Sequence, residues 1–92
     1  MIKNYLVDTR THPFQANGEF DDGRYFHIRF RNSSLFIGIY EVPVYGIQNM
    51  GARAIYSESK TLLLESLSDV DAISHVSYCY KRFKTTGMEE EE

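Results

Sequence analysis

At 92 residues the chain is large enough for one small domain and too short for two. Its 42% hydrophobic and 14% aromatic content allows an unassisted core; the single cysteine, Cys79, excludes an internal disulfide, and no Cys/His quartet exists for a structural zinc. The formal charge is −3, but four of the thirteen acids lie in the final "GMEEEE", so the remaining nine face ten Lys and Arg and any electrostatic function must come from the arrangement of charge.

The opening "MIKNYLVDTR" has Lys3, Asp8 and Arg10 close together and no signal-peptide h-region. Within it "IKNYLVD" predicts a short strand. "THPFQANGEFDDG" predicts a loop, with Pro13, Asn17-Gly18 and Gly23 as breakers. "RYFHIRFR" then alternates cleanly, Phe26, Ile28 and Phe30 on one face and Tyr25, His27, Arg29 and Arg31 on the other, which is the period of a strand. "NSS" predicts a turn, and "LFIGIYEV" the partner strand, apolar on both faces and ended by Pro43. The apolar run "LFIGIYEVPVYG" is interrupted by Glu41 and is too short to span a bilayer. These features predict a soluble, cytoplasmic protein without a membrane segment.

"YGIQNMGARAIY" predicts a loop that becomes a short strand near Ala52 to Tyr56. In "SESKTLLLESLSDVD", Ser57 is a candidate N-cap, Glu58 lies in the favoured first turn, and Leu63, Leu64 and Leu67 have the spacing of a buried helical stripe. "AISHVSYCYKRFK" alternates again, with Val76, Tyr78 and Tyr80 opposite His75, Ser77 and Cys79, and predicts a final strand. The expected fold is α+β, a small antiparallel sheet with one main helix packed on a face. Residues 1–84 form the single domain and residues 85–92 a flexible acidic tail.

The helix expected over "SESKTLLLESLSDVD" raises a charge question, because its polar side carries carboxylates and only Lys60 as a cation. Glu58 and Glu65, seven apart, would share a face at roughly 10 Å, with Asp69 about 6 Å further on and Asp71 beyond it. Acids near a helix C-terminus oppose the dipole, at about 0.3–1 kcal/mol each. A tolerated cost suggests a use, and one use is to present negative charge at intervals comparable with phosphates. A solvated helix face is the bland reading. A second acidic group, Glu19, Asp21 and Asp22, sits in "ANGEFDDG"; it lacks the D-x-D-x-D-G pattern of a calcium loop, and turn formation explains Asp-Asp-Gly.

Basic residues give an alternative: a small nucleic-acid-binding domain using Arg29, Arg31, Lys81, Arg82 and Lys84. "GRYFHIRFRN" interleaves arginines with aromatics as an RNA-binding sheet does, although Tyr25 and His27 stand where that motif wants small residues, and Phe26 and Phe30 share the core face. An enzyme has no support. No P-loop, G-x-S-x-G or zinc signature occurs, and on a strand His75 and Cys79 would sit about 13 Å apart. No catalytic, cofactor-binding or metal-binding residues are expected.

From "MIKNYLVDTRTHPFQANGEFDDGRYFHIRF" through "SESKTLLLESLSDVDAISHVSYCYKRF" the chain resembles the Arn family, the anti-restriction nuclease proteins of T-even bacteriophages. The likeness covers essentially the full length and rests on general similarity, since the family has no short diagnostic motif. It implies a phage-encoded, non-enzymatic DNA mimic acting in the host cytoplasm. The implied partners are host DNA-binding proteins, chiefly the modification-dependent restriction endonuclease McrBC and secondly the nucleoid protein H-NS, with no direct binding of nucleic acid. The implied assembly is a homodimer that sets two acidic surfaces along a duplex-like path. The expected partner-binding residues are Glu58, Glu65, Asp69 and Asp71, with Glu19, Asp21 and Asp22 as a second group. The near-neutral body departs from a heavily charged mimic and requires carboxylates concentrated on one surface.

Overall fold

The computed structural model describes residues 1–10, 13–43 and 53–91. Five strands, β1 (Ile2–Thr9), β2 (Phe14–Phe20), β3 (Tyr25–Arg31), β4 (Ser34–Tyr40) and β5 (Tyr56–Thr61), precede one helix, α1 (Asp69–Glu91). The strands form a single sheet in sequence order, every neighbouring pair antiparallel. The helix packs on one face. The fold is therefore the α+β architecture expected, a small antiparallel sheet carrying one main helix.

The alternation in β3 fixes which face is buried. Phe26, Ile28 and Phe30 point towards the helix and are opposed by Gly18, Ala16 and Phe14 on β2 and by Ile39, Ile37 and Leu35 on β4. Ala72, Val76 and Cys79 of α1 close over them, all three fully buried. A buried aliphatic side chain such as Ile28 or Val76 contributes about 1.5–3 kcal/mol. The β3–β4 turn places Asn32 at φ 51° and Ser33 at φ 63°, the paired left-handed conformations of a two-residue hairpin loop. The β2–β3 turn ends on Gly23 at φ 88°, where its N–H donates to the Phe20 carbonyl at 3.0 Å.

Three sequence expectations are corrected. The segment expected as a loop contains β2, with Asn17-Gly18 in mid-strand and not in a turn. Gly18 is there because a Cβ would collide with the Phe26 ring and the Asn4 carbonyl oxygen. Asn17 is buried on the opposite face, where its side chain has specific partners.

The expected helix and final strand are exchanged. Residues 56–61 form the edge strand β5 against β4, and the three leucines belong to a connection in which Leu63 is 89% exposed. The helix begins twelve residues after Ser57, at Asp69. Its N-cap is Ser68, whose Oγ accepts from the Asp71 N–H at 3.1 Å and whose carbonyl accepts from the Ala72 N–H at 2.9 Å. The alternating Val76, Tyr78 and Tyr80 coincide with a helical stripe, Ala72, Val76, Cys79 and Phe83. Burial decides between the two periods, since Tyr78 is 58% exposed while Cys79 is fully enclosed.

Helix α1 also runs through the residues expected as a tail, ending at Glu91. Of the strand expected near Ala52 to Tyr56, Ala52 lies outside the described residues and β5 begins at Tyr56. Among the described residues no helix is long and apolar enough to cross a membrane.

Candidate functional site

The exchange of helix and strand rearranges the carboxylates expected to form one row. Glu58 lies on the helix-facing side of β5, opposite Ile37. It accepts from Arg82 Nε at 2.6 Å and Nη2 at 2.5 Å, and from the Tyr56 hydroxyl at 2.7 Å. The Arg82 guanidinium lowers the Glu58 pKa foremost. The same pair raises the pKa of Arg82, and the carboxylate pushes the Tyr56 phenol up to about 12. A two-pronged guanidinium–carboxylate contact of this kind fixes geometry as well as charge. It ties the edge strand to the helix.

Asp69 occupies the first turn of α1, not a helix C-terminus. Acids there are favoured by the dipole, so the cost inferred for Asp69 and Asp71 does not arise. Both Asp69 oxygens lie 2.9 Å from Arg10 Nη1, and Oδ1 also accepts from the Tyr5 hydroxyl at 2.9 Å. The Tyr5 bond and then Arg10 hold its carboxyl below the usual range. These contacts join the start of the helix to β1.

The second acidic group sits at the opposite end of the sheet. Asp22 accepts from Tyr80 Oη at 2.5 Å, from the Arg24 N–H at 3.0 Å and from Arg24 Nη1 at 2.6 Å, with Lys84 Nζ 3.7 Å away. Burial works to raise its pKa, but the Tyr80 and Arg24 bonds prevail and hold it at about 2. Asp21 pairs with the N-terminal ammonium, and Glu19 lies 3.9 Å from Lys3 Nζ and 3.3 Å from Asn4 Nδ2. Beneath Asp22 an aromatic cluster fixes the helix. Phe20 and Tyr80 stack at 4.2 Å, Tyr56 and Phe83 meet at 5.6 Å, and the Arg24 guanidinium lies 5.1 Å over Phe83.

Five of the seven expected partner-binding carboxylates are thus ion-paired, and they do not form a row. Glu65 and Asp71 form no ion pair among the described residues. Glu65 shares a hollow of about 90 Å³ with Arg10, Phe14, Phe30 and Arg31. Of the two acidic groups, Asp22 does meet the helix, through Tyr80 and Lys84, while Asp69 and Asp71 lie about 20 Å away at its other end.

The five cations of the nucleic-acid alternative are divided as well. Lys81, Arg82 and Lys84 belong to the helix on one side of the sheet, and Arg82 and Lys84 both contact carboxylates. Arg29 and Arg31 lie on the open side, exposed and in no ion pair among the described residues.

The open side also holds a polar chain that sequence reasoning missed. Asn17 Nδ2 donates to Asp8 Oδ2 at 2.5 Å, and Asn17 Oδ1 lies 2.8 Å from His27 Nδ1. Because the amide oxygen can only accept, the proton belongs on Nδ1 and Nε2 is left as the acceptor. Burial holds the His27 pKa below the usual histidine range. An asparagine read as turn chemistry gave no sign of this role; an Asn between apolar residues opposite a strand histidine would have been the signal.

His75 and Cys79 are one helical turn apart, not 13 Å, so distance alone does not separate them. Cys79 is fully buried, and burial foremost pushes its thiol up to about 12, which makes it a packing residue and not a nucleophile. No group of three His, Cys, Asp or Glu side chains among the described residues can hold a metal ion.

Fold and charge together define a small sheet-and-helix domain whose helix side is held by paired charges and whose opposite side carries arginines that form no ion pair among the described residues. No family model matches the chain, and no curated protein or solved structure does either.

Proposed function

We propose that the protein is a phage-encoded DNA mimic that inhibits a host DNA-binding protein in the host cytoplasm. The primary target is McrBC, and H-NS is the second. The sequence likeness to the Arn family supplies the targets and the homodimer.

The observation that supports a mimic is the placement, at the start of α1, of two carboxylates that form no ion pair among the described residues. Asp71 lies in the first turn, with Glu65 just before it; in the sequence, Glu89 to Glu92 follow the last basic residue, Lys84. A helix of 23 residues is about 34 Å long, comparable with one turn of duplex DNA. The paired acids Glu58, Asp69 and Asp22 hold the helix in place, and the unpaired ones meet the partner. The mechanism is competition, in which carboxylates stand in for phosphates against a Lys/Arg groove and long-range attraction accelerates association.

The test is cleavage of modified duplex DNA by McrBC in the presence of the protein across a salt series. Inhibition is expected to weaken steeply with salt and to be reversed by excess duplex. The combined variant Glu65→Lys, Asp71→Lys with Glu89 to Glu92 changed to Gln is expected to lose it. Full inhibition by that variant, or tight binding of duplex DNA by the protein itself, refutes the reading.

A further inference from the structure

The side of the sheet away from the helix has a chemistry of its own. Arg29 and Arg31 project there from β3. Antiparallel pairing sets Phe36 of β4 and Gln15 of β2 beside Arg29, and Ser34 beside Arg31. None of these cross-strand neighbours is acidic; Glu65, which shares a hollow with Arg31 at the end of the strand, forms no ion pair with it. Arg10, Arg24 and Arg82, by contrast, each hold a carboxylate. An arginine on an ordinary sheet surface is commonly balanced across the strand. Here two in succession are not.

The two arginines, Asn32, Ser34 and Phe36 line an open groove of about 330 Å³. Asn32 is held at the rim by the left-handed hairpin turn. His27, one step along the same row, has Nδ1 committed to Asn17, so its ring is fixed beside the groove.

We infer that the open face of β3 and β4 binds single-stranded nucleic acid, with phosphates on Arg29 and Arg31 and a base on the Phe36 ring. Residues two apart on a strand are separated by about 6.6 Å, an interval suited to successive phosphates of an extended single strand. Guanidinium groups suit phosphate oxygens, and an aromatic ring beside them offers a stacking surface that accepts any base. A duplex keeps its base faces hidden and cannot use Phe36. A free phosphate is not favoured, because the groove is open and its polar side chains are exposed, with no enclosed cage. An acidic peptide would use the arginines but leave the ring without a planar partner. The surface is separate from the carboxylates of the proposed mimicry and does not rest on that reading.

The experiment is fluorescence anisotropy of a short labelled single-stranded DNA of mixed sequence, titrated with the intact protein over a salt series. Two phosphate contacts predict a log–log salt slope of about −1.4, at about −0.7 per phosphate for a single strand. Arg29→Gln with Arg31→Gln is expected to abolish binding while leaving the circular dichroism spectrum unchanged, since both side chains are exposed. Phe36→Leu, which keeps apolar bulk, is expected to weaken binding by roughly fivefold or more and leave the salt slope intact. Equal or tighter binding of the matching duplex overturns the inference. So does binding that survives the double arginine variant, displacement by a polyglutamate peptide as readily as by unlabelled strand, or no binding at low salt. McrBC inhibition by the double arginine variant is expected to equal that of the unaltered protein, so failure of one reading is distinguishable from failure of the other.

Discussion

The two faces of the sheet use arginine in opposite ways. On the helix side Arg82, Arg10 and Arg24 are committed to Glu58, Asp69 and Asp22, each linking elements far apart in sequence or closing a turn. On the open side Arg29 and Arg31 have Gln15, Phe36 and Ser34 as cross-strand neighbours and form no ion pair among the described residues, although Arg31 shares a hollow with Glu65. A charge that is paired serves the fold, and a charge left alone on a surface is available to a partner. Counting acids along a sequence cannot tell the two apart, because the sorting occurs only when the helix docks.

The largest effect that would break the contrast belongs to the covered face. Gly18→Val puts a branched side chain where the Phe26 ring and the Asn4 carbonyl already lie. Backbone cannot yield as a flexible side chain can, so the expected loss is about 3 kcal/mol, read from the urea midpoint. A loss under half of that would mean that β1 and β2 separate easily at this point.

A smaller effect is expected from Asp22. Its pKa is held at about 2 by Tyr80 and Arg24, below the usual carboxylate value. A depressed acid contributes stability that is fully present above its unfolded pKa near 4 and is lost as pH falls through the folded value. The expected contribution is of order 1 kcal/mol after solvent screening, lost between about pH 4 and pH 2. Asp22→Asn should remove that portion of the acid transition. An unchanged acid limb would show that the contacts with Tyr80 and Arg24 do not persist in solution.

The smallest effect sharpens the comparison. Arg29→Gln and Arg31→Gln, together, should alter stability by no more than about 0.5 kcal/mol in thermal or urea unfolding, because neither side chain supports the fold. A loss above about 1 kcal/mol would place them with the structural arginines and remove the contrast between the faces.

Part of this architecture is legible in the chain. Phe26, Ile28 and Phe30 alternate with polar residues, and Asn32-Ser33 supplies the turn, so the β3–β4 hairpin follows from local pattern. The helix N-terminus was misplaced: Asp69 and Asp71 were expected near a helix C-terminus, whereas Ser68 caps the start and both acids lie in the first turn. The leucines just upstream masked it, since three apolar residues in a row suit a helix and an exposed connection equally well. The carboxylates expected to meet a partner were legible as residue types and not as a surface. Glu58 and Asp69 were expected to face a partner, but each meets an arginine 24 or 59 residues away in sequence.

By itself the sequence determined a single small α+β domain, the central hairpin, and a surplus of acid confined to one terminus. Those features depend on local periodicity and composition, which do not change when distant segments meet. Tertiary structure alone decided that residues 56–61 extend the sheet while residues 69–91 cover it, because only packing distinguishes a period of two from one of 3.6 in "VSYCYKRF". It likewise decided which charges are neutralised, since pairing depends on distances of a few ångströms between groups whose separation along the chain carries no such information.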